Sequence, residues 1–172
     1  MTELDLRASP WNEGLGISYS ALSIEIYRLL CMFHASPSMQ KSGSDSHLQL
    51  RMEHQESEIG RVLLFVAVTL RNAMDQNPSR ADYWLSHSPS DVVGVLTPDL
   101  KEVKKFEDLR FREACNKIIH SDSINFDYKV RKPKRGDVLN PRVHVYGTLR
   151  RRHWKATLEI DPFADIACLL NA

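Results

Sequence analysis

Arg112, Asn116 and His120 stand four residues apart in the segment Phe111–His120, which reads FREACNKIIH. Residues four apart are surface neighbours on a helix, so these three form one ladder over two turns. A guanidinium, an amide and an imidazole then line up at a helix end, beside Ser121 and Asp122. Such a row suits phosphate chemistry. Histidine titrates near neutrality and serves as general acid or base. Arginine grips two phosphate oxygens at once, and asparagine can orient a substrate group or the imidazole. Ile118 and Ile119 point elsewhere and can hold the helix to a core. A structural reading accounts for the same residues: the negative end of the helix dipole favours a terminal histidine, and Asn116 can be a buried amide that sets the next loop. Both readings stay open on these residues.

Asn116-x-x-x-His120, late on a long helix that follows another long helix, resembles the signature of the HEPN superfamily. Nuclease members of that family carry an arginine, then a polar residue that is often asparagine, then three residues and a histidine. Asn116 and His120 match the last two positions, Cys115 stands where the arginine would be, and Arg112 lies one turn earlier. The resemblance covers about residues 18–125. It implies metal-independent RNA cleavage, with His120 as acid or base, Asn116 as orienting residue and Arg112 as phosphate clamp. It also implies a homodimer in which two motifs face one RNA cleft, and a toxin–antitoxin or phage-defence setting. Arg71-Asn72 resembles the start of a second such signature, but no histidine follows in range, and the pair reads as structural.

A second feature is charge. Residues 1–128 carry 13 Lys and Arg against 18 Asp and Glu, whereas residues 129–172 carry 10 against 4, so the formal net charge of +1 conceals an asymmetry. Lys129, Arg131, Lys132, Lys134 and Arg135 crowd one stretch, Arg142 follows, and Arg150, Arg151, Arg152 and Lys155 form another group. Cations so concentrated attract RNA, DNA or an acidic protein surface. Lysine and arginine at strand edges also guard against edge-to-edge pairing, but three consecutive arginines exceed that need. Tyr128, Tyr146 and Trp154 can offer stacking faces, although strand alternation sends at least one into the core.

These side chains must be held by elements that the hydrophobic pattern outlines. The spacing of Leu22, Ile26, Leu29, Leu30 and Phe33 predicts a helix over about 18–34, and Gln40–Ser46 reads as a polar loop. A long helix follows over about 46–74, polar in its first half and apolar almost all round in its second (IGRVLLFVAVTL). Residues 81–86 and 90–96 read as short helical turns. Thr97-Pro98 reads as the start of a further helix through His120, with Leu100, Val103, Phe106, Leu109, Ala114, Ile118 and Ile119 on its buried side. After Ser123 the period becomes two, around Phe126–Val130, Val143–Gly147 and Trp154–Ile160, with the last two runs paired as a hairpin through Arg150–Arg152. Asp161-Pro162 opens a closing helix.

The expected fold is therefore α+β in a single domain over 1–172. An irregular N-terminal arm (1–16) precedes a helical part (17–122), with long antiparallel helices bundled over about 18–121. A basic part (123–172) follows, with a small antiparallel sheet over about 125–160 and a C-terminal helix. At 172 residues, 42% apolar and 26% charged, the chain has the composition of a globular domain and not of a disordered one. Cys31, Cys115 and Cys168 are odd in number and form no C-x-x-C pair, which argues against a disulfide framework and favours packing as small buried residues. Glu3 and Asp5 give the N-terminus the wrong charge for a signal peptide, and the apolar run Val62–Leu70 is about half of what a bilayer requires. The expectation is a cytoplasmic protein without membrane contact. His54 and Glu58 find no third ligand, so neither a metal site nor a cofactor is expected. Two classes of function remain: a HEPN-like domain that binds RNA or a nucleic-acid-associated complex, as ribonuclease or not, and a non-catalytic protein-binding module such as an immunity protein or adaptor.

Overall fold

Leu22, Ile26, Leu29 and Phe33 are all buried, so the apolar spacing near the N-terminus becomes the core stripe of α1 (Tyr19–His34). The computed structural model describes residues 19–41, 44–102, 104–129 and 137–171. The expected N-terminal arm and the cations Arg131, Lys132, Lys134 and Arg135 lie outside the described residues. A short helix, α2 (Ser36–Lys41), occupies the start of the expected polar loop, its proline falling in the first turn, where no intrahelical donor is lost.

The long helix α3 (Asp45–Gln76) buries Ile59, Val62, Leu63, Val66, Ala67, Leu70 and Met74 along one side. At about 1.5 Å per residue it spans roughly 48 Å. Its polar first half is tied down by a buried arginine. Arg51 is buried, donates from Nη2 to the Asp137 carbonyl (2.8 Å) and reaches the buried Ser36 hydroxyl (3.5 Å), which also accepts the Leu139 N–H (3.3 Å). Asn77 ends α3 and caps α4 (Pro78–His87), its side chain accepting the Arg80 N–H (3.2 Å) ahead of a proline at the first helical position.

The α+β class stands, with one substantial correction. Residues 92–110 are not helical: β1 (Val92–Thr97), a 3-10 turn (Leu100–Glu102) and β2 (Glu107–Arg110) precede a shorter helix, α5 (Phe111–Ile119). Val92, Val93 and Val95 are β-branched, and the strand's backbone is paired on both sides from Gly94 to Leu96, by β2 and by β5 (Arg152–Glu159). Asp99, just after Thr97-Pro98, accepts the Lys101 N–H (2.9 Å) in a local turn and starts no long helix. Of the residues expected on a buried helix face, Leu109, Ala114 and Ile118 are buried and Ile119 is half-buried. Phe106 (70%) and Leu100 (36%) are exposed, and Val103 lies outside the described residues.

The sheet thus has five strands, not three, all antiparallel, in the order β2-β1-β5-β4-β3, with β3 at Ser123–Lys129 and β4 at Val138–Leu149. Val143, Val145, Trp154, Ala156 and Leu158 face the helices, and Arg142, His144, Tyr146, Thr148, His153 and Lys155 alternate with them on the other face. The β4–β5 hairpin forms as expected: Leu149 pairs with Arg152 across the two-residue turn Arg150-Arg151. The closing helix, α6 (Ile160–Asn171), stacks Phe163 on Phe111 at 5.0 Å between ring centroids, so the start of α5 is anchored in the same core. The cysteines divide: Cys115 is buried, Cys31 half-buried and Cys168 exposed. Among the described residues no helix is long and apolar enough to cross a membrane.

Gly94 is where the corrected region joins the sheet. A Cβ there would stand 2.0 Å from the Thr157 carbonyl oxygen and 3.2 Å from the Leu158 Cα, both backbone atoms that no rotamer can move. Gly94→Ala is expected to destabilise the protein by about 3 kcal/mol, the upper end of overpacking costs. For a chain of this size that is a fall of roughly 6–12 °C in Tm. Calorimetry or circular dichroism reads it; a change under about 2 °C contradicts the close approach of β1 to β5.

Candidate functional site

α5 begins where Phe111 is buried and its N–H donates to the Asp91 carbonyl (2.8 Å), and Ala114, Cys115 and Ile118 press its inner side into the core. This leaves Arg112, Glu113, Asn116 and Lys117 on the outer side. His120 is the C-cap: its backbone N–H returns to the Asn116 carbonyl (3.0 Å), while its imidazole is exposed. Cys115, at the position where the HEPN arginine would be, is an unreactive thiol. Burial pushes its pKa up to about 12, well above the range in which a thiolate forms at neutral pH.

The ladder is not one row of free side chains. Arg112 turns to α3 and pairs with Asp75. Asn116 accepts from Arg71 Nε–H (2.8 Å) and donates to Glu113 Oε2 (3.3 Å). Arg71 also pairs with Asp75, and its hydrogen bond, with the charges of Arg71 and Arg112, holds that carboxyl below the usual carboxylate range. The physical cause is proximity: an aspartate one turn beyond Arg71 offers both guanidiniums a charge-assisted partner that open solvent does not. Sequence reading set Arg71 aside as structural and did not notice Asp75. The i,i+4 spacing of Arg71 and Asp75 was a visible signal. Contact between Arg71 and Asn116, 45 positions apart, had none.

Asn116 and His120 do meet in a hollow of about 300 Å³, together with Glu113 and Lys117 of α5 and Thr148, Leu149 and Trp154 of the β4–β5 hairpin. Arg112 is not among its lining residues. Lys117 Nζ lies 3.2 Å from Glu113 Oε1 and 4.5 Å from the Trp154 ring centroid, so a cation and an indole face form one wall. Gly147 lets that wall sit close, since a Cβ there would stand 2.2 Å from the Trp154 ring. At the rim, Asp122 donates its N–H to the Tyr146 carbonyl (2.8 Å) and its Oδ2 accepts from Thr148 Oγ1 (3.1 Å). Thr148 Oγ1 is also 3.1 Å from His153 Nδ1.

The sheet cations divide as the strand order dictates. Arg150 and Arg151 form the hairpin turn with φ of 49° and 67°, and both are exposed at the hollow's end of the sheet. Arg152 is exposed, its Nε 4.0 Å from Asp99 Oδ2, and Lys155 Nζ lies 5.7 Å above the Tyr146 ring. Arg142 is matched by Glu159 (2.6 Å) and Asp127 (3.7 Å). Lys129, paired with Val138, is exposed at the opposite end of the sheet. Among the aromatics, Trp154 is buried, Tyr146 is half-buried on the outer face, and Tyr128 donates to Glu56 on α3 (2.7 Å). None of the protein-family models, the curated proteins or the solved structures matches this chain.

Proposed function

We propose that this chain is a HEPN-like domain that binds RNA at the hollow between α5 and the β4–β5 hairpin and cleaves it without a metal ion, as a homodimer. One observation carries the reading. The exposed imidazole of His120, the Asn116 amide and the Lys117 ammonium share a hollow with the strands that lead into Arg150, Arg151 and Arg152. An acid–base group thus lies beside cations that can hold a polyanion, which is the pairing that phosphodiester cleavage needs. The arginine turn and Lys117 grip the backbone, and Arg71 holds Asn116 in place. Arg112 acts through Asp75, not as a free clamp. The conflict-system setting rests on the resemblance alone.

The homodimer is supported by the outward face of α3. Leu64, Phe65 and Val68 are 45%, 41% and 38% exposed, an apolar stripe on the outer side of the helix. Arg112 meets Asp75 and Asn116 meets Arg71, so α5 runs antiparallel to α3, and one further turn carries His120 level with this stripe. Leu64→Glu with Val68→Glu is expected to turn a dimer into a monomer in sedimentation velocity without lowering helix content. A wild-type chain that sediments as a monomer at high micromolar concentration removes the dimer from the reading.

The test of catalysis is degradation of RNA by the purified chain in EDTA, beside His120→Ala. Equal cleavage by both, or none by either, rejects it. A second reading has its own observation: Arg112 and Asn116 are both engaged inside the chain, as residues of a non-catalytic module would be. An immunity protein or adaptor of this kind would use the basic hairpin against an acidic protein, and would yield a complex of fixed stoichiometry that excludes RNA.

A further inference from the structure

Cleavage of RNA through its own 2′-hydroxyl needs a proton taken from one oxygen and a proton given to another. His120 supplies one of these. We infer that His153 supplies the other, so that one chain holds a complete acid–base pair across the rim of the hollow; this rests on the RNA-cleaving reading above. His153 is not part of the α5 motif. It is the second residue of β5, on the outer face of the sheet directly opposite Thr148, and Thr148 lines the hollow that His120 lines. Both imidazoles are exposed, and one threonine side chain separates His153 from the hollow.

The hydrogen bonds around His153 define its proton. A carboxylate only accepts, so Thr148 must give its single hydroxyl hydrogen to Asp122 Oδ2 at 3.1 Å. The Thr148 oxygen is then an acceptor toward His153 Nδ1, also at 3.1 Å, and Nδ1 must carry a hydrogen. That leaves Nε2 as the nitrogen that gains and loses the proton, directed away from the Thr148 contact. This is the way a histidine is held in one tautomer for proton transfer, here with a threonine between acid and ring. Asp122 is itself fixed, since its N–H is bonded to the Tyr146 carbonyl.

The step balances with these two groups alone. Neutral His120 takes the 2′-hydroxyl proton as the 2′ oxygen bonds to phosphorus. The bond from phosphorus to the 5′ oxygen breaks, and that oxygen leaves as an alcohol with the proton from His153 Nε2. The products are a 2′,3′-cyclic phosphate and a 5′-hydroxyl end, with His120 protonated and His153 neutral, and proton exchange with water restores both. The Arg150-Arg151 turn, between Thr148-Leu149 and Arg152-His153, can hold the non-bridging oxygens meanwhile.

The experiment uses the full chain and two oligoribonucleotides that differ at one linkage, with a natural 5′ oxygen in one and a 5′ sulfur in the other. A thiolate leaves without being protonated, so the sulfur substrate dispenses with the acid but still needs the base. His153→Gln is expected to lose about 10²-fold on the oxygen substrate, within the usual contribution of a general acid. It should keep wild-type rates on the sulfur substrate, and Thr148→Val should follow it in part. His120→Gln should be slow on both. Because His153 is exposed, unfolding and RNA binding should not change. Wild-type rates of His153→Gln on the oxygen substrate overturn the inference while leaving the ribonuclease reading standing, as does a loss that sulfur does not rescue. A wild-type chain that cleaves neither substrate removes the ribonuclease reading itself, and His153 with it.

Discussion

His120→Ala should lower metal-free RNA cleavage by at least about 10²-fold and leave the fold intact. The two halves of that expectation have separate grounds. The imidazole is exposed and hydrogen-bonded to none of the described residues, whereas the contact that ends the helix is made by the His120 backbone N–H, which alanine keeps. Removal of a surface side chain away from caps and cores changes stability by about 0.5 kcal/mol or less. The catalytic loss has no such shelter, because Glu113 and Lys117, the other titratable residues in the hollow, are already paired with each other. Gel-resolved cleavage in EDTA and a thermal melt of the same preparation read both halves. A variant that loses cleavage only by unfolding, or keeps it when folded, dismisses His120 as the acid–base group.

The second large effect runs in two directions at once. A two-residue hairpin turn with positive φ at both positions favours Asn-Gly, because these residues enter the left-handed region cheaply, whereas a residue with a full side chain costs about 1–2 kcal/mol there. This chain places Arg150 and Arg151 in that turn. The double change Arg150→Asn, Arg151→Gly is therefore expected to stabilise the protein by about 1–2 kcal/mol, seen as a higher denaturant midpoint. The same change should weaken RNA binding. If both guanidiniums contact phosphates of a single strand, the slope of log K against log salt becomes shallower by about 1.4, at roughly 0.7 per contact. A gain in stability with an unchanged salt slope would show that the arginines serve solubility or edge protection and do not grip a backbone. A gain in stability together with a shallower slope would mark the turn as a place where function outweighs local preference.

The elements differ in how far they could be read from residues alone. α1, α3 and α6 are long or strongly periodic, and buried rows such as Leu22–Ile26–Leu29–Phe33 announce themselves at the spacing of a helix. The hairpin was legible for a related reason: period-two runs flank a turn too short for anything else. β2 was not legible. Glu107-Asp108-Leu109-Arg110 buries only Leu109, and nothing in four such residues favours a strand except the neighbour that β1 provides. β1 was read as a short helical turn and the segment after it as a helix, since Thr97-Pro98 satisfies the local rules for a helix start; a weak local preference yields when a sheet can pair the backbone on both sides.

From its residues alone, this chain determined its α+β class, the buried row Leu22–Ile26–Leu29–Phe33, the β4–β5 hairpin and the helix-end position of His120. These follow from periodicity, helix geometry and strand alternation, which are local. Only the tertiary structure decided that Arg112 belongs to Asp75, that Asn116 belongs to Arg71, and that the arginine turn adjoins the histidine hollow and not the far end of the sheet. Those choices depend on which elements pack side by side. Contacts between residues tens of positions apart are selected by the sum of packing across the whole core, and no window of sequence contains that sum.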